Sequence, residues 1–326
     1  ALHRKNLTLI SGALVENVII KKNKAVGVSF QKDGINHQIS GGSIILSAGA
    51  LQSPQILQLS GIGPSHILKA QNIKTILDND AVGKNLQDHY QMRTILRMKK
   101  KLSLNSDSQN PLKLAKWAFD WLKDGSGVLS VGAGQVGAGM CTKYATDNRP
   151  DIQLLVMPLS VDKPGEPLHR FPGFTTTVWQ CHPRSKGTIE IQSADPRVQP
   201  KISPNYLADT HDQRVMIEGV KLIREIHKKE PFRNLWDEEV VPGQEVKSDK
   251  QILETIKSNG GTVFHPVGTC RMGEEKDSVV DPKLRVHGIA NLYVADASVM
   301  PKITSANTNA PSLMIGEKAA AIILEN

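Results

Sequence analysis

Apolar positions early in the chain fall into short alternating runs, and later ones fall into helical spacings. Residues 7–10 and 15–20 are aliphatic and β-branched and predict strands. After a turn at Asn23, residues 25–30 alternate as another strand, with 37–40 as its expected hairpin partner. Residues 44–46 form an unbroken apolar run, the pattern of a strand buried on both faces. That run leads into Ser47-Ala48-Gly49-Ala50, whose small side chains let another group approach the backbone. Ser53 is expected as an N-cap, Pro54 as the first helical residue, Ile56, Leu57 and Leu59 as the apolar face and Gly61 as the stop. Strand, small-residue turn and helix make up an α/β nucleotide-binding layer.

The middle of the chain changes character. Residues 111–122 have amphipathic spacing, with Leu112, Leu114, Trp117 and Trp121 among the apolar positions. Residues 151–157, 175–181 and 187–192 predict strands separated by Pro- and Gly-rich turns, hence an antiparallel sheet. Residues 211–229 carry an apolar stripe of Val215, Met216, Val220, Leu222, Ile223 and Ile226, and a second helix is expected over 249–259 before Gly260-Gly261. From Thr262 onward come short strands, Gly-rich turns and a final helix with Pro311 in its first turn. The expected class is an α/β layer joined to an antiparallel-sheet domain with helices, α+β as a whole. Its expected boundaries are 1–90, 91–261 and 262–326.

Composition narrows the function classes. The 326 residues are 39% apolar and 22% charged, which excludes wholesale disorder. A net charge of +8 permits attraction to nucleic acid, anionic lipid or acidic partners. With aromatics at 4%, and a basic run over 97–101 that has none interleaved, nucleic-acid binding is not expected. Three cysteines without a CxxC pair fit a reducing cytoplasm, and no metal-ligand set is expected. No apolar run reaches the roughly 20 residues of a membrane helix, so membrane contact would be peripheral. The first residue is Ala1 and not Met, which raises a trimmed or incomplete product.

Gly132-Ala-Gly134-Gln-Val-Gly137 matches GxGxxG, but Gly139 and Pro150 follow and no helical stripe does. A Gly-rich strand and loop beside a pocket is the expected reading. The chemistry lies elsewhere. In Phe264-His265-Pro266-Val267-Gly268-Thr269-Cys270-Arg271-Met272-Gly273, a histidine sits in a tight loop after a short strand. Taken alone, His265 is equally a structural or a catalytic residue. Alcohol oxidation needs the hydroxyl proton removed while hydride leaves carbon, a task suited to an imidazole.

Four segments together resemble the glucose–methanol–choline oxidoreductases, in their choline dehydrogenase-like branch. They are 49–63 (GALQSPQILQLSGIG), 82–89 (VGKNLQDH), 264–273 and 292–319, the last with Asp296-Ala297-Ser298, Asn307-Thr308-Asn309-Ala310-Pro311 and Met314-Ile-Gly-Glu-Lys-Ala. The likeness runs in the family's order from Val15 to Lys318. It implies FAD as cofactor, His265 as acid/base, and Asn307 as the residue that hydrogen-bonds the substrate oxygen. It also implies Val15 at the adenine, Ala48, Gly49, Asp296 and Ala297 near the ribityl and pyrophosphate, and Thr308 at the pyrimidine end. His89, beside Asp88, is expected to be structural. Ala306 departs from the family's usual Gly.

By this resemblance the whole enzyme oxidises a primary, choline-like alcohol by hydride transfer to flavin N5 and passes electrons to oxygen or a quinone-linked chain. Another alcohol is the alternative substrate, and a non-catalytic flavin-binding fragment the alternative role. Choline would want an aromatic cage, yet Trp117, Trp121 and Trp179 are expected in the core. The family's N-terminal strand–GxGxxG–helix is missing before residue 1, so these residues alone are expected to hold FAD weakly or not at all.

Overall fold

The computed structural model describes residues 2–163, 165–274 and 277–325. The chain divides into two compact units, one of 1–88, 185–206 and 264–326, the other of 89–184 and 207–263. Residues 185–206, expected with the sheet domain, thus pack in the first unit. The helices and mainly antiparallel sheets give the α+β class expected from the sequence.

In the first unit, strands Ala13–Lys21, Lys24–Lys32 and Ile35–Ser40 form an antiparallel sheet in that order. Lys22 and Asn23, both at positive φ, make the two-residue turn whose twist matches the flanking strands. The strand expected over 7–10 is absent; Leu7, Leu9 and Ile10 are exposed and outside the ladder, so aliphatic composition there has no partner to act on. Strand Ile44–Leu46 pairs in parallel with Leu292–Val294. It is not buried on both faces: Ile44 and Leu46 enter the core while Ile45 is exposed, because only one face of this two-stranded sheet is covered. The core under that face gathers Leu46, Leu57, Ile62, Val267, Leu292 and Val294.

The helix after this strand is Gly49–Leu59, one turn earlier than its apolar pattern suggests. Ser53 is not its N-cap. Gly49, at φ 82°, turns the chain into the helix, and its N–H donates to Asp296 Oδ2 at 2.9 Å. Ala48 N–H donates to Ser53 Oγ at 3.1 Å. Donors at the helix start are therefore satisfied by a carboxylate 247 residues away in sequence, which local spacing does not reveal. Pro54 lies inside the helix and cannot donate to the Ala50 carbonyl. The Thr269 hydroxyl donates to that carbonyl instead, at 2.6 Å.

The second unit holds a sheet ordered Trp236–Val241, Tyr90–Met98, Gly173–Gln180, Ile152–Met157, Val136–Met140, with Gly261–Thr262 paired to Tyr90–Met98 as well. Strand Tyr90–Met98 is not apparent in the sequence because Gln91, Arg93 and Arg97 mask the alternation of buried Met92, Thr94, Leu96 and Met98. Helix Thr210–His227 starts on the Asp209 cap and lays Val215, Met216, Val220 and Ile223 on the sheet. Helix Asp249–Asn259 has the expected bounds, fixed by a Ser248/Gln251 capping box. Gly132 lies in a loop that runs into strand Val136–Met140, so the GxGxxG letters precede no helix. Trp179 is buried as expected, but Trp117 and Trp121 are not core residues: helix Pro111–Asp124 buries none of its side chains.

Replacing Thr269 by Val leaves the buried Ala50 carbonyl without a donor. Thr269→Val is expected to lower unfolding stability by about 1–3 kcal/mol, while Thr269→Ser retains most of it. Equilibrium urea unfolding measures the difference, and equal midpoints for the wild type and the Val variant would contradict the role given to this hydroxyl.

Candidate active site

All the proposed site residues lie in the first unit. His265 follows Phe264, a non-glycine residue at φ 63° whose side chain is exposed. The left-handed backbone there turns the imidazole inward, leaving His265 only 7% exposed. The His265 N–H donates to Asp88 Oδ1 at 2.9 Å, and the Tyr206 hydroxyl donates to Asp88 Oδ2 at 2.5 Å. Next to it, Gln87 and Val267 exchange two backbone hydrogen bonds at 3.0 and 2.9 Å. The Gln87 side chain reaches the opposite way, donating to the Pro301 carbonyl at 3.2 Å and accepting from Ile303 N–H at 3.3 Å. Asn85 adds bonds from Nδ2 to the carbonyls of Gly268 and Pro301.

These anchors bring His265 and Asn307 together. Asn307 Nδ2 lies 3.0 Å from His265 Nε2. With the amide oriented so that Nδ2 faces the ring, Nε2 accepts, an arrangement that requires the neutral tautomer with its proton on Nδ1. Burial pushes the His265 pKa below its ordinary value, and the Asp88 carboxylate opposes that shift without reversing it. The side chain is thus a neutral base at physiological pH, with its lone pair aimed where an amide also donates.

A second cluster surrounds Asp296. Its Oδ2 accepts from Gly49 N–H and from the Ser53 hydroxyl, at 2.9 and 2.5 Å, and its Oδ1 accepts from Ser298 N–H at 2.7 Å. The carboxylate is therefore committed to joining the strand end at Val294 to the Gly49–Leu59 helix. Ala48 precedes that helix, and Ala297 opens the single turn Ala297–Val299. A side chain added at Gly49 would meet nothing within 4 Å, so open space faces this helix start. Thr308, buried, occupies the N-cap position of helix Asn309–Leu324 without a side-chain cap bond, and no acidic residue stands in the first turn. Its leading N–H groups, with the helix dipole behind them, suit the anionic end of a bound group. The backbone at Ala306 is not left-handed, so its methyl costs nothing there. Val15, half-buried and paired to Phe30 beside a bulge, packs against the same core as Ala48 and Ala297. The open helix start and the uncapped second helix fit an elongated, anionic cofactor such as FAD.

The 82–89 segment holds the His265–Asn307 pair through side chains whose partners its local sequence does not reveal. His89 is buried, with Nε2 3.1 Å from the Cys181 carbonyl. Asp88, Gln87, Asn85 and Tyr206 position the His265–Asn307 pair. The available signal was a carboxylate at the entrance of a buried strand, which requires donors.

In the chain itself, the His265 imidazole is expected to titrate below 6.5 by NMR, and lower still in Asp88→Asn, which removes the opposing charge. Titration above 6.5, or an upward move in the variant, would contradict this electrostatic picture.

Two family models described as GMC oxidoreductase match, one over residues 1–91 and the other over 183–316. An alcohol dehydrogenase [acceptor] of Pseudomonas putida is 37% identical over 98% of this chain and 58% of its own length. An oxygen-dependent choline dehydrogenase of Staphylococcus saprophyticus is 36% identical over 99% of this chain and 58% of its own. The chain thus spans 58% of the length of these curated relatives. Among solved structures, a formate oxidase of Aspergillus oryzae, studied for FAD modification, superposes with a TM-score of 0.92 at 28% identity, covering 98% of this chain and 61% of that one. Pyridoxine 4-oxidase of Mesorbium loti gives 0.85 at 26% identity, over 99% and 59%. Family and structural likeness together support FAD as the cofactor. The chain belongs to the GMC oxidoreductase family.

Proposed function

We propose that this chain carries the acid/base half of an FAD-dependent enzyme that oxidises a primary alcohol to the aldehyde. The observation that carries the reading is the contact at 3.0 Å between buried His265 and exposed Asn307, held by Asp88 and Gln87. An alcohol oxygen that inserts between the two and replaces their direct contact has a base, His265 Nε2, for its proton and a donor, Asn307 Nδ2, for the developing alkoxide. Burial keeps His265 unprotonated and ready to accept. When bound, FAD supplies the acceptor for the hydride that leaves the carbinol carbon. Ala48, Gly49, Asp296 and Ala297 are assigned to its ribityl and pyrophosphate region, Thr308 to its pyrimidine end and Val15 to its adenine. The segment 1–88 with 264–326 is assigned to FAD binding, and most of 89–263 to the substrate domain.

Choline is the proposed substrate, since oxygen-dependent choline dehydrogenases recur among the relatives. The Pseudomonas putida alcohol dehydrogenase supports a second reading, oxidation of a different alcohol. Free cysteines at 141, 181 and 270 support a reducing cytoplasm, and peripheral contact with a membrane is part of this proposal. No helix among the described residues is long and apolar enough to cross a membrane.

The flavin-loaded protein, in a form long enough to hold FAD, is mixed anaerobically with alcohols while oxidised-flavin absorbance is followed. Bleaching by choline but not by simple aliphatic alcohols is expected. Bleaching only by other alcohols would remove choline, and bleaching by none would overturn the alcohol-oxidation reading.

A further inference from the structure

Helix Pro111–Asp124 is the feature of the second unit that alcohol oxidation leaves unused. It is well made, with the Asn110 side chain accepting from Leu112 N–H at one end and Gly125 at φ 68° at the other. Yet it buries none of its fourteen residues. Leu112 is 81% exposed, Leu122 83% and Phe119 63%. At 100° per residue, Lys113, Lys116, Asp120, Lys123 and Asp124 gather in an arc of about 100°, and the remaining arc, more than half the circumference, is apolar. Such a face in water is unfavourable unless something covers it.

The charge around the helix says what would cover it. Lys99, Lys100 and Lys101 are exposed just upstream. Between residues 99 and 124 there are six lysines and three aspartates, a net +3. Lys113 is paired with Asp107 and Lys116 with Asp120, so the upstream lysines supply most of the unspent charge. At the helix start, Lys101, Lys113 and Arg170 line an open cleft of about 460 Å³, with Asp107 as its acidic member. A wide apolar arc with Trp and Phe, flanked by lysines and a basic cleft, is the make-up of a helix that lies in a lipid interface. Its side chains enter the acyl boundary while cations meet anionic headgroups.

We infer that helix Pro111–Asp124 docks this protein on an anionic membrane surface, with Leu112, Phe119, Trp121 and Leu122 entering the bilayer and Lys99–Lys101 facing its phosphates. The inference rests on the peripheral placement proposed above and not on the flavin chemistry. Loss of vesicle binding would leave anaerobic flavin bleaching unchanged, and the converse also holds.

The test is co-sedimentation of the flavin-loaded protein, in a form long enough to hold FAD, with phosphatidylcholine vesicles, with and without about a quarter phosphatidylglycerol. Binding to the anionic vesicles is expected to exceed binding to neutral ones by about tenfold or more and to weaken as salt shortens the Debye length. F119E combined with L122E, at positions that contribute no burial, is expected to abolish binding while circular dichroism and the thermal midpoint stay unchanged. No binding by this longer form, equal binding to neutral vesicles, or undiminished binding by the double variant would overturn the inference, the first because the rest of the protein would then cover the helix. So would a dimer in sedimentation velocity that the same substitutions dissolve while vesicles remain unbound, since a second copy would then be the occupant.

Discussion

Two consecutive side chains, Gln87 and Asp88, hold the loops of the proposed site together. Asp88 fixes the backbone of His265, while Gln87 grips the Pro301–Ile303 loop that leads to Asn307. Two segments some 40 residues apart are thereby held so that a ring nitrogen and an amide nitrogen meet at 3.0 Å. Each bond of this clasp is modest, but each satisfies a buried group, and leaving one unmade costs more than making it gains. The glycines follow from the same closeness. At Gly268, φ 91°, a side chain would stand 2.6 Å from the Asn85 carbonyl oxygen, so the histidine loop packs on the clasp only without one.

Asp296 plays the matching part at the other cluster. Its carboxylate spends its acceptors on Gly49, Ser53 and Ser298, which closes the helix start against the strand pair without a local cap. Thr269 completes the arrangement by bonding the carbonyl that Pro54 leaves open. One loop, 265–273, thus carries the proposed base at its first residue and a helix support four residues later.

Local rules recovered what local forces make. Helix 249–259 was legible because its capping box and apolar spacing are self-contained. Helix 49–59 was misplaced at its start because the cap comes from residue 296. Strand Tyr90–Met98 was hidden because its arginines and glutamine point away from a face that only tertiary pairing defines. Residues 7–10 show the converse, strand-like composition with no ladder to join. At the site, His265 and Asn307 were legible through motif resemblance, whereas Asp88 and Tyr206 emerge only when residues 118 apart in sequence are brought to 2.5 Å.

The central claim is that His265 is the base for alcohol oxidation. Its most direct test is the rate of anaerobic flavin reduction by the substrate alcohol in His265→Ala against the wild type, both flavin-loaded. A fall of about a hundredfold or more, with flavin content unchanged, is what a positioned general base requires. Near-normal reduction in the variant would contradict the account and return His265 to a structural role.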